Sequence, residues 1–106
     1  MITGGTVLPG VNVYTVVAPN IYRVLEFPAP ADTDYNSFFV FEIRTKGLRP
    51  GLVLNDLAGF RTEEKAAISF AVGRAKYTSS KFVIIAASGL TEAKTLFDAA
   101  NARFRF

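Results

Sequence analysis

The chain has 106 residues and a formal net charge of +3 at pH 7, and half of its residues are hydrophobic. This length fits one domain, and this share of apolar residues is ample for a core and argues against disorder. Cysteine and histidine are both absent, which excludes a disulfide framework, a thiolate site and the commonest general base and metal ligand. No apolar run approaches the roughly 20 residues of a membrane span, and the N-terminus lacks the basic region of a signal peptide. We therefore expect a cytoplasmic protein without a membrane anchor, a cofactor or a bound metal.

The charged side chains are unevenly distributed along the chain. Residues 1–43 carry one basic and four acidic side chains, whereas residues 44–106 carry eleven basic and five acidic ones. A basic half of this kind favours an acidic partner or a nucleic acid. Because acidic residues are interspersed among the basic ones, solvated helix faces explain the same pattern.

The first elements that the sequence predicts are a loose lead-in and a hairpin. Residues 1–10 contain three glycines and a proline, and we expect them to form the lead-in. Residues 11–17 have the composition of a strand, and residues 21–27 show the alternation of a strand. Pro19 and Asn20 between them are turn residues. We expect an antiparallel hairpin that ends at Pro28, since proline cannot donate to a ladder.

Residues 37–46 fit either a helix or a strand. Phe39, Phe41 and Ile43 alternate as in a strand, but the same segment can line one face of a helix. The segment follows residues 32–34, which are rich in Asp and suit a helix N-cap. It precedes Gly47, which suits a helix C-cap. On that basis the sequence favours the helix.

A strand is expected to pass into a helix within residues 51–62. Residues 52–54 are apolar, as in a strand buried on both faces. Asn55 and Asp56 should form the turn that follows, and Thr62 is the candidate N-cap. The helix after it carries a narrow apolar stripe that should face the core. The stripe consists of Ile68, Ala71, Val72 and Ala75.

The last part of the chain predicts a second buried strand and a last helix. Residues 81–87 form a continuous apolar run, typical of a parallel strand covered on both faces. Ser88 and Gly89 should form a turn before a helix over residues 90–101, whose apolar stripe is Ala93, Leu96, Phe97 and Ala100. Arg and Phe alternate in residues 103–106, which fits a short edge strand and also a stacking platform for single-stranded nucleic acid.

The order of these elements predicts an α/β fold. We expect a single domain over residues 1–106, built on a mixed, mostly parallel sheet that the hairpin opens. Two or three crossover helices should cover this sheet, and each crossover should be right-handed.

Three segments resemble the STAS domain of bacterial anti-sigma-factor antagonists: residues 52–60 (Leu-Val-Leu-Asn-Asp-Leu-Ala-Gly-Phe), 82–88 and 96–98. The resemblance covers residues 11–106 and implies a non-enzymatic regulatory module that binds a switch kinase or an anti-sigma factor. In that family, phosphorylation of a Ser or Thr at the start of the helix after the central strand breaks the complex. The usual Asp-Ser-x-Gly motif is missing here, because Glu64 and Lys65 occupy its place. Thr62 is the nearest hydroxyl and thus the candidate phospho-acceptor.

The expected partner-binding surface combines the end of the central strand, the start of the next helix and the second turn. It consists of Asn55, Asp56, Gly59, Arg61, Thr62, Lys65, Ser88 and Gly89. Simpler structural roles compete with this hypothesis. Asp56 fits an acceptor of turn N–H groups, Thr62 fits a plain helix cap, and Ser88 with Gly89 fits an ordinary turn.

Protein–protein interaction in regulation, without catalysis, is the leading functional hypothesis. A nucleic-acid-binding domain and a structural or assembly subunit, such as a homo-oligomer, are the alternatives. Without histidine or cysteine no Ser-His-Asp or Cys-His set can form, and the neighbouring Glu63 and Glu64 do not converge as an acid–base pair. We also expect that a neighbouring chain can cover an open sheet edge.

Overall fold

The computed structural model describes residues 10–28, 35–44 and 54–106. These residues form five strands and two helices. In chain order they are β1 (Gly10–Ala18), β2 (Ile21–Pro28), β3 (Ser37–Arg44), β4 (Leu54–Arg61), α1 (Glu64–Ala75), β5 (Lys81–Ala87) and α2 (Leu90–Phe104). The predicted lead-in falls outside the described residues, except that Gly10 already belongs to β1.

The strands form one sheet in the order β2-β1-β5-β3-β4, and every neighbouring pair is antiparallel. The expectation of a mostly parallel, STAS-like sheet is therefore wrong. A strand–helix–strand unit does exist as β4-α1-β5, and its two strands point in the same direction. However, β3 lies between them and runs opposite to both. Hydrophobic periodicity predicts the elements of such a unit but not whether its strands are neighbours.

The sheet is covered by one helix on each face, which gives three layers. At its centre, β5 sends Phe82 and Ile84 into the core beneath α1, and Val83 and Ile85 into the core beneath α2. The predicted strand at residues 81–87 is confirmed. Its continuous apolar run reflects burial on both faces, which here occurs in an antiparallel sheet.

The preference for a helix at residues 37–46 is wrong, because residues Ser37–Arg44 form β3. Phe39, Phe41 and Ile43 lie in the α2-side core, whereas Val40 lies in the α1-side core. Alternate residues of β3 therefore contribute to two different cores, one on each face of the sheet. The residues that favoured helix caps, 32–34 and Gly47, lie outside the described ranges.

The predicted hairpin is confirmed. β1 and β2 pair from Gly10 opposite Pro28 to Ala18 opposite Ile21, with one register shift between Val16 and Ala18. The connecting turn consists of Pro19 and Asn20, the two residues whose backbone preferences suit a tight turn.

Helix α1 packs on the sheet through small residues. Ala67, Ala71 and Ala75 are buried, whereas Ile68 and Val72 of the predicted stripe are only half-buried. Alanines four positions apart lie above one another on a helix, so α1 approaches the sheet closely. The N-cap position is held by Glu63 without a side-chain cap bond, so the prediction of Thr62 as the N-cap is wrong.

Helix α2 buries the whole predicted stripe, Ala93, Leu96, Phe97 and Ala100. The edge strand predicted at residues 103–106 is wrong, because α2 continues to Phe104. Arg105 then adopts a left-handed conformation (φ 54°), and Phe106 turns back so that its ring centroid lies 5.8 Å from that of Phe97. The alternating Phe residues therefore close the end of the core.

Candidate functional site

β4 forms one edge of the sheet. It pairs with β3 on one side, and no strand of the described residues pairs with its other side. An edge strand presents backbone N–H and C=O groups in a row, which is the template for pairing with another chain. We call this free side the β4 edge.

The prediction that the central strand ends in a turn at Asn55 and Asp56 is wrong. Asn55 and Asp56 both lie inside β4, where Asp56 faces Glu42 of β3, while residues 52–53 lie outside the described part. Asp56 is exposed, and its interpretation as a turn ligand fails because there is no turn around it. Like charges opposite each other are unfavourable in a sheet, so a cation near Asp56 would be stabilising.

A β-bulge divides β4 into two arms. The pairing with β3 shifts between Leu57 and Gly59, which leaves Ala58 as the extra residue. Because of this insertion, Leu57 and Phe60 both lie on the α2 face of the sheet, opposite Phe41 and Phe39 respectively. The bulge therefore places two large apolar side chains on one face of an edge strand, although they are three positions apart.

Between β4 and α2 lies a groove of about 340 Å³, which we call the β4 groove. Phe41 and Phe97 contribute its apolar floor, and Leu57 and Leu90 its sides. Three large apolar side chains are exposed in or beside this groove, with Leu57 38%, Phe60 53% and Leu90 41% exposed. The charged residues with which α2 lines the groove are Lys94 and Asp98.

On the α1 face of β4, two arginine side chains lie over one aromatic ring. The guanidinium carbon of Arg61 lies 4.3 Å from the ring centroid of Phe70, and that of Arg74 lies 5.7 Å from the same ring. Arg61 also donates a hydrogen bond from Nη1 to the Phe60 carbonyl oxygen at 2.7 Å. Stacking of this kind fixes Arg61 beside the β4 edge.

The structure separates the predicted surface into two groups. Arg61, Thr62, Lys65, Ser88 and Gly89 lie at the end of the sheet where β4 and β5 terminate, because β3 pairs there with Arg61 and with Ala87. Asn55 and Asp56 lie towards the opposite end of β4. Gly59 lies between the two groups along β4.

The Ser88–Gly89 turn is confirmed and is occupied by local bonds. The backbone N–H of Ser88 donates to Glu92 Oε1 at 2.9 Å, and its hydroxyl donates to the same oxygen at 3.2 Å. Glu92 thus anchors the residue before the α2 N-cap, Gly89. This geometry supports the ordinary-turn interpretation of Ser88.

Sequence reasoning did not assign to the site the exposed apolar residues in and beside the β4 groove, namely Leu57, Phe60 and Leu90. The composition of residues 54–61 gave no strand signal, because Asn55, Asp56, Ala58 and Gly59 are types that strands disfavour. Gly59 instead belongs to the bulge, a place where glycine is common within strands.

A second cavity of about 340 Å³ lies near the carboxyl end of α2. Lys81 lines it, but its ammonium donates to the Phe106 carbonyl oxygen at 2.9 Å. The backbone N–H of Phe106 donates to Asn101 Oδ1 at 3.0 Å. Lys81 and Asn101 of this cavity therefore hold residue 106 in place.

Among the described residues, a shifted pKa occurs at the phenol of Tyr14, on the α1 face of β1. Burial, a hydrogen bond to Glu64 and the negative charge of Glu64 raise the pKa of Tyr14 from 10.0 to about 12, against a smaller opposite effect of its bond to Asn12. A phenol with this pKa stays neutral at pH 7. It serves as a buried link between β1 and the first residue of α1.

Within residues 10–28, 35–44 and 54–106, no three Asp or Glu side chains gather as a metal site. Neither helix of these ranges combines the length and hydrophobicity needed to cross a membrane.

Comparison of the chain with protein-family models, with curated proteins and with solved structures finds no match. Its function therefore has to be inferred from its own residues.

Proposed function

We propose that this chain is a non-enzymatic protein-binding module that accepts an extended strand of another polypeptide along the β4 edge. The observation that carries this proposal is the exposed pair Leu57 and Phe60, on an edge strand that borders an apolar groove. In strand addition, main-chain hydrogen bonds supply affinity and pockets for alternate side chains supply specificity. β4 offers both features side by side.

An added strand would direct every second side chain towards the α2 face. Those side chains meet Leu57 and Phe60 and can enter the β4 groove over Phe41 and Phe97. Burying apolar surface is favourable by about 25 cal/mol per Å², so the ligand should carry large apolar residues at alternate positions. Lys94 and Asp98 on α2 provide one charge of each sign to orient it.

The opposite edge, β2, is less suited to this role. It also exposes apolar side chains, with Ile21 58%, Tyr22 47% and Val24 50% exposed. However, the Tyr22 ring already packs against Tyr14, with centroids 6.3 Å apart, and the strand ends at Pro28, which cannot donate to a ladder. β2 therefore serves as an internal control for β4.

Regulation by phosphorylation at Thr62 belongs to the same proposal. Thr62 is exposed and directly follows β4, so a phosphate there would place about two negative charges beside the end of the β4 edge. A partner of the switch-kinase or anti-sigma-factor class rests on the sequence resemblance alone. Replacement of Thr62 by Glu should weaken the binding of any acidic strand and spare that of neutral ones.

The proposal can be tested by selecting peptides from a random phage-displayed library on the immobilised protein. We expect the selected peptides to carry apolar residues at alternate positions. In ¹⁵N-edited NMR spectra they should shift the amide signals of β4 and of the first turns of α2. Affinity should fall at least tenfold in the Phe60→Lys variant, which places a charge on the apolar side of the edge.

The matched control is Val24→Lys, since Val24 is exposed to a similar degree on the other edge strand. This variant should bind the same peptides with unchanged affinity. Peptides that bind Phe60→Lys as tightly as the unchanged protein, or that shift signals elsewhere, would overturn the proposal.

Nucleic-acid binding is the second candidate, because Arg61 and Arg74 both stack on Phe70. Cations interleaved with an aromatic ring suit the backbone and bases of a single strand. Fluorescence polarisation with a labelled single-stranded oligonucleotide would test it. Affinity that falls steeply with salt and is lost on Arg74→Ala would support this candidate, and salt-independent or absent binding would remove it.

A further inference from the structure

We propose that the strand accepted by the β4 edge is β4 of a second copy of this chain, paired antiparallel about the bulge. This inference rests on the proposed function, because both use the β4 edge. Closed homodimers with two-fold symmetry are the commonest soluble oligomers, and their interfaces must be self-complementary. β4 meets that requirement residue by residue.

The self-complementarity follows from the positions on either side of the bulge. At the centre lie Ala58, the extra residue of the bulge, and Gly59, which pairs with Val40 of β3. One step outwards are Leu57 and Phe60, and two steps outwards are Asp56 and Arg61. In an antiparallel pair centred on the bulge, Asp56 of one copy therefore faces Arg61 of the other, and Leu57 faces Phe60.

The faces of the sheet agree with this register. Leu57 and Phe60 both lie on the α2 face, since they oppose Phe41 and Phe39. Asp56 opposes Glu42 on the α1 face, where Arg61 stacks on Phe70. A two-fold axis perpendicular to the sheet keeps each residue on its own face. The two-fold axis thus creates two contacts between Asp56 and Arg61, which have opposite charges. It also creates two apolar contacts between Leu57 and Phe60.

The charged residues of β4 also favour a second copy of this chain as the partner. Asp56 faces the like charge of Glu42 within its own chain, and no salt bridge to Asp56 occurs among the described residues. Arg61 is held at the edge by Phe70, and its guanidinium has no acidic partner in the described part of the chain. Each would gain an opposite charge from the second copy, and a cross-strand pair of opposite charges is favourable.

The β2 edge does not share this property. Arg23 opposes Thr15 on the α2 face, whereas Glu26 opposes Asn12 on the α1 face. These charges lie on opposite faces and cannot pair with each other across a two-fold axis. The self-complementary pattern therefore distinguishes β4 from the other exposed edge.

Charge reversal tests the register directly. We expect the unchanged protein to self-associate, with a mass by sedimentation equilibrium rising towards twice the chain mass of 11.5 kDa. Asp56→Arg sets two arginines against each other, and Arg61→Asp sets two aspartates against each other. Each variant alone should sediment as a monomer. An equimolar mixture of the two should recover the mass of two chains, because every cross-strand pair is then Arg with Asp.

The control is Arg23→Asp, an exposed charge reversal on β2, which should leave the dimer unchanged. Thermal unfolding of every variant checks that loss of the Arg61–Phe70 contact has not unfolded the chain, and recovery on mixing does not depend on that contact. Monomeric unchanged protein at all concentrations, or single variants that dimerise normally, would overturn the inference. If such a monomer still binds peptides through Phe60, the proposed function stands and only the second copy is excluded. If the protein neither dimerises nor binds peptides through Phe60, both proposals are wrong.

Discussion

Gly59 of β4 and Phe70 of α1 are in direct contact across the interface between strand and helix. A Cβ atom added to Gly59 would lie 3.0 Å from Cε2 and 3.1 Å from Cζ of the Phe70 ring. The ring cannot retreat freely, because the Arg61 guanidinium lies over it at 4.3 Å from its centroid. The absence of a side chain at position 59 is therefore what lets α1 pack against the edge strand.

Gly59→Ala should consequently lower the free energy of unfolding, by about 1–3 kcal/mol as for other overpacked sites. Urea denaturation followed by circular dichroism measures this change. The control is Gly73→Ala in α1, where an added Cβ meets nothing within 4 Å. That variant should gain about 0.5–1 kcal/mol, since glycine is unfavourable within a helix. Equal stability of the two variants would contradict the close contact.

Thr15 offers a stabilising substitution. Its side chain is 1% exposed, and its hydroxyl oxygen has no hydrogen-bond partner among the described residues. A buried hydroxyl without a partner is destabilising, so Thr15→Val should raise the free energy of unfolding by about 1 kcal/mol. The midpoint of urea unfolding should rise accordingly with an unchanged slope. A lower midpoint would mean that the hydroxyl is bonded in solution.

The Ser80–Glu42 hydrogen bond should contribute more to stability than the Arg74–Glu42 ion pair. The Ser80 hydroxyl is nearly buried and donates to Glu42 Oε2 at 2.6 Å, whereas Arg74 Nη2 lies 3.9 Å from Oε1 and its side chain is 45% exposed. Bonds to charged groups contribute roughly 1.5–3 kcal/mol, and exposed ion pairs roughly 0–1 kcal/mol. In denaturant titrations, Ser80→Ala should therefore lose clearly more than Arg74→Gln. The reverse order would show that the ion pair dominates.

Local patterns predicted the elements of this fold better than their arrangement. The apolar stripe of α2 and the continuous apolar run of β5 can be read from the residues of each segment alone, so the sequence pattern identifies both elements. The neighbours of β5 are β1 and β3, which lie far away in sequence, and no local pattern specifies them. The helix expected at residues 37–46 failed for the same reason, since burial of Phe39 and Val40 on opposite faces depends on both helices.

The candidate site was predicted only in part. The residues after the apolar run at 52–54 were singled out, and Asn55 to Arg61 do form the β4 edge, but as a strand rather than a turn. A bulge resembles a turn in sequence because both favour glycine and small residues. Leu90 and Lys94 could not be assigned to the site without the position of α2.

The raised pKa of Tyr14 predicts a specific loss of stability in alkali. The folded state holds this proton up to a pKa of about 12, whereas an unfolded tyrosine releases it near 10.0. The stabilisation by Tyr14 is therefore complete below pH 10 and is lost as the pH rises towards 12, by at most about 2–3 kcal/mol. Other groups titrate in the same range, so the free energy of unfolding of Tyr14→Phe should be subtracted from that of the unchanged protein at each pH. Tyr14→Phe should be less stable at pH 8, by about 1 kcal/mol for the lost bond to Glu64, and the difference should shrink or reverse by pH 12. A difference that stays constant from pH 8 to pH 12 would show that the Tyr14 hydroxyl is neither buried nor bonded to Glu64.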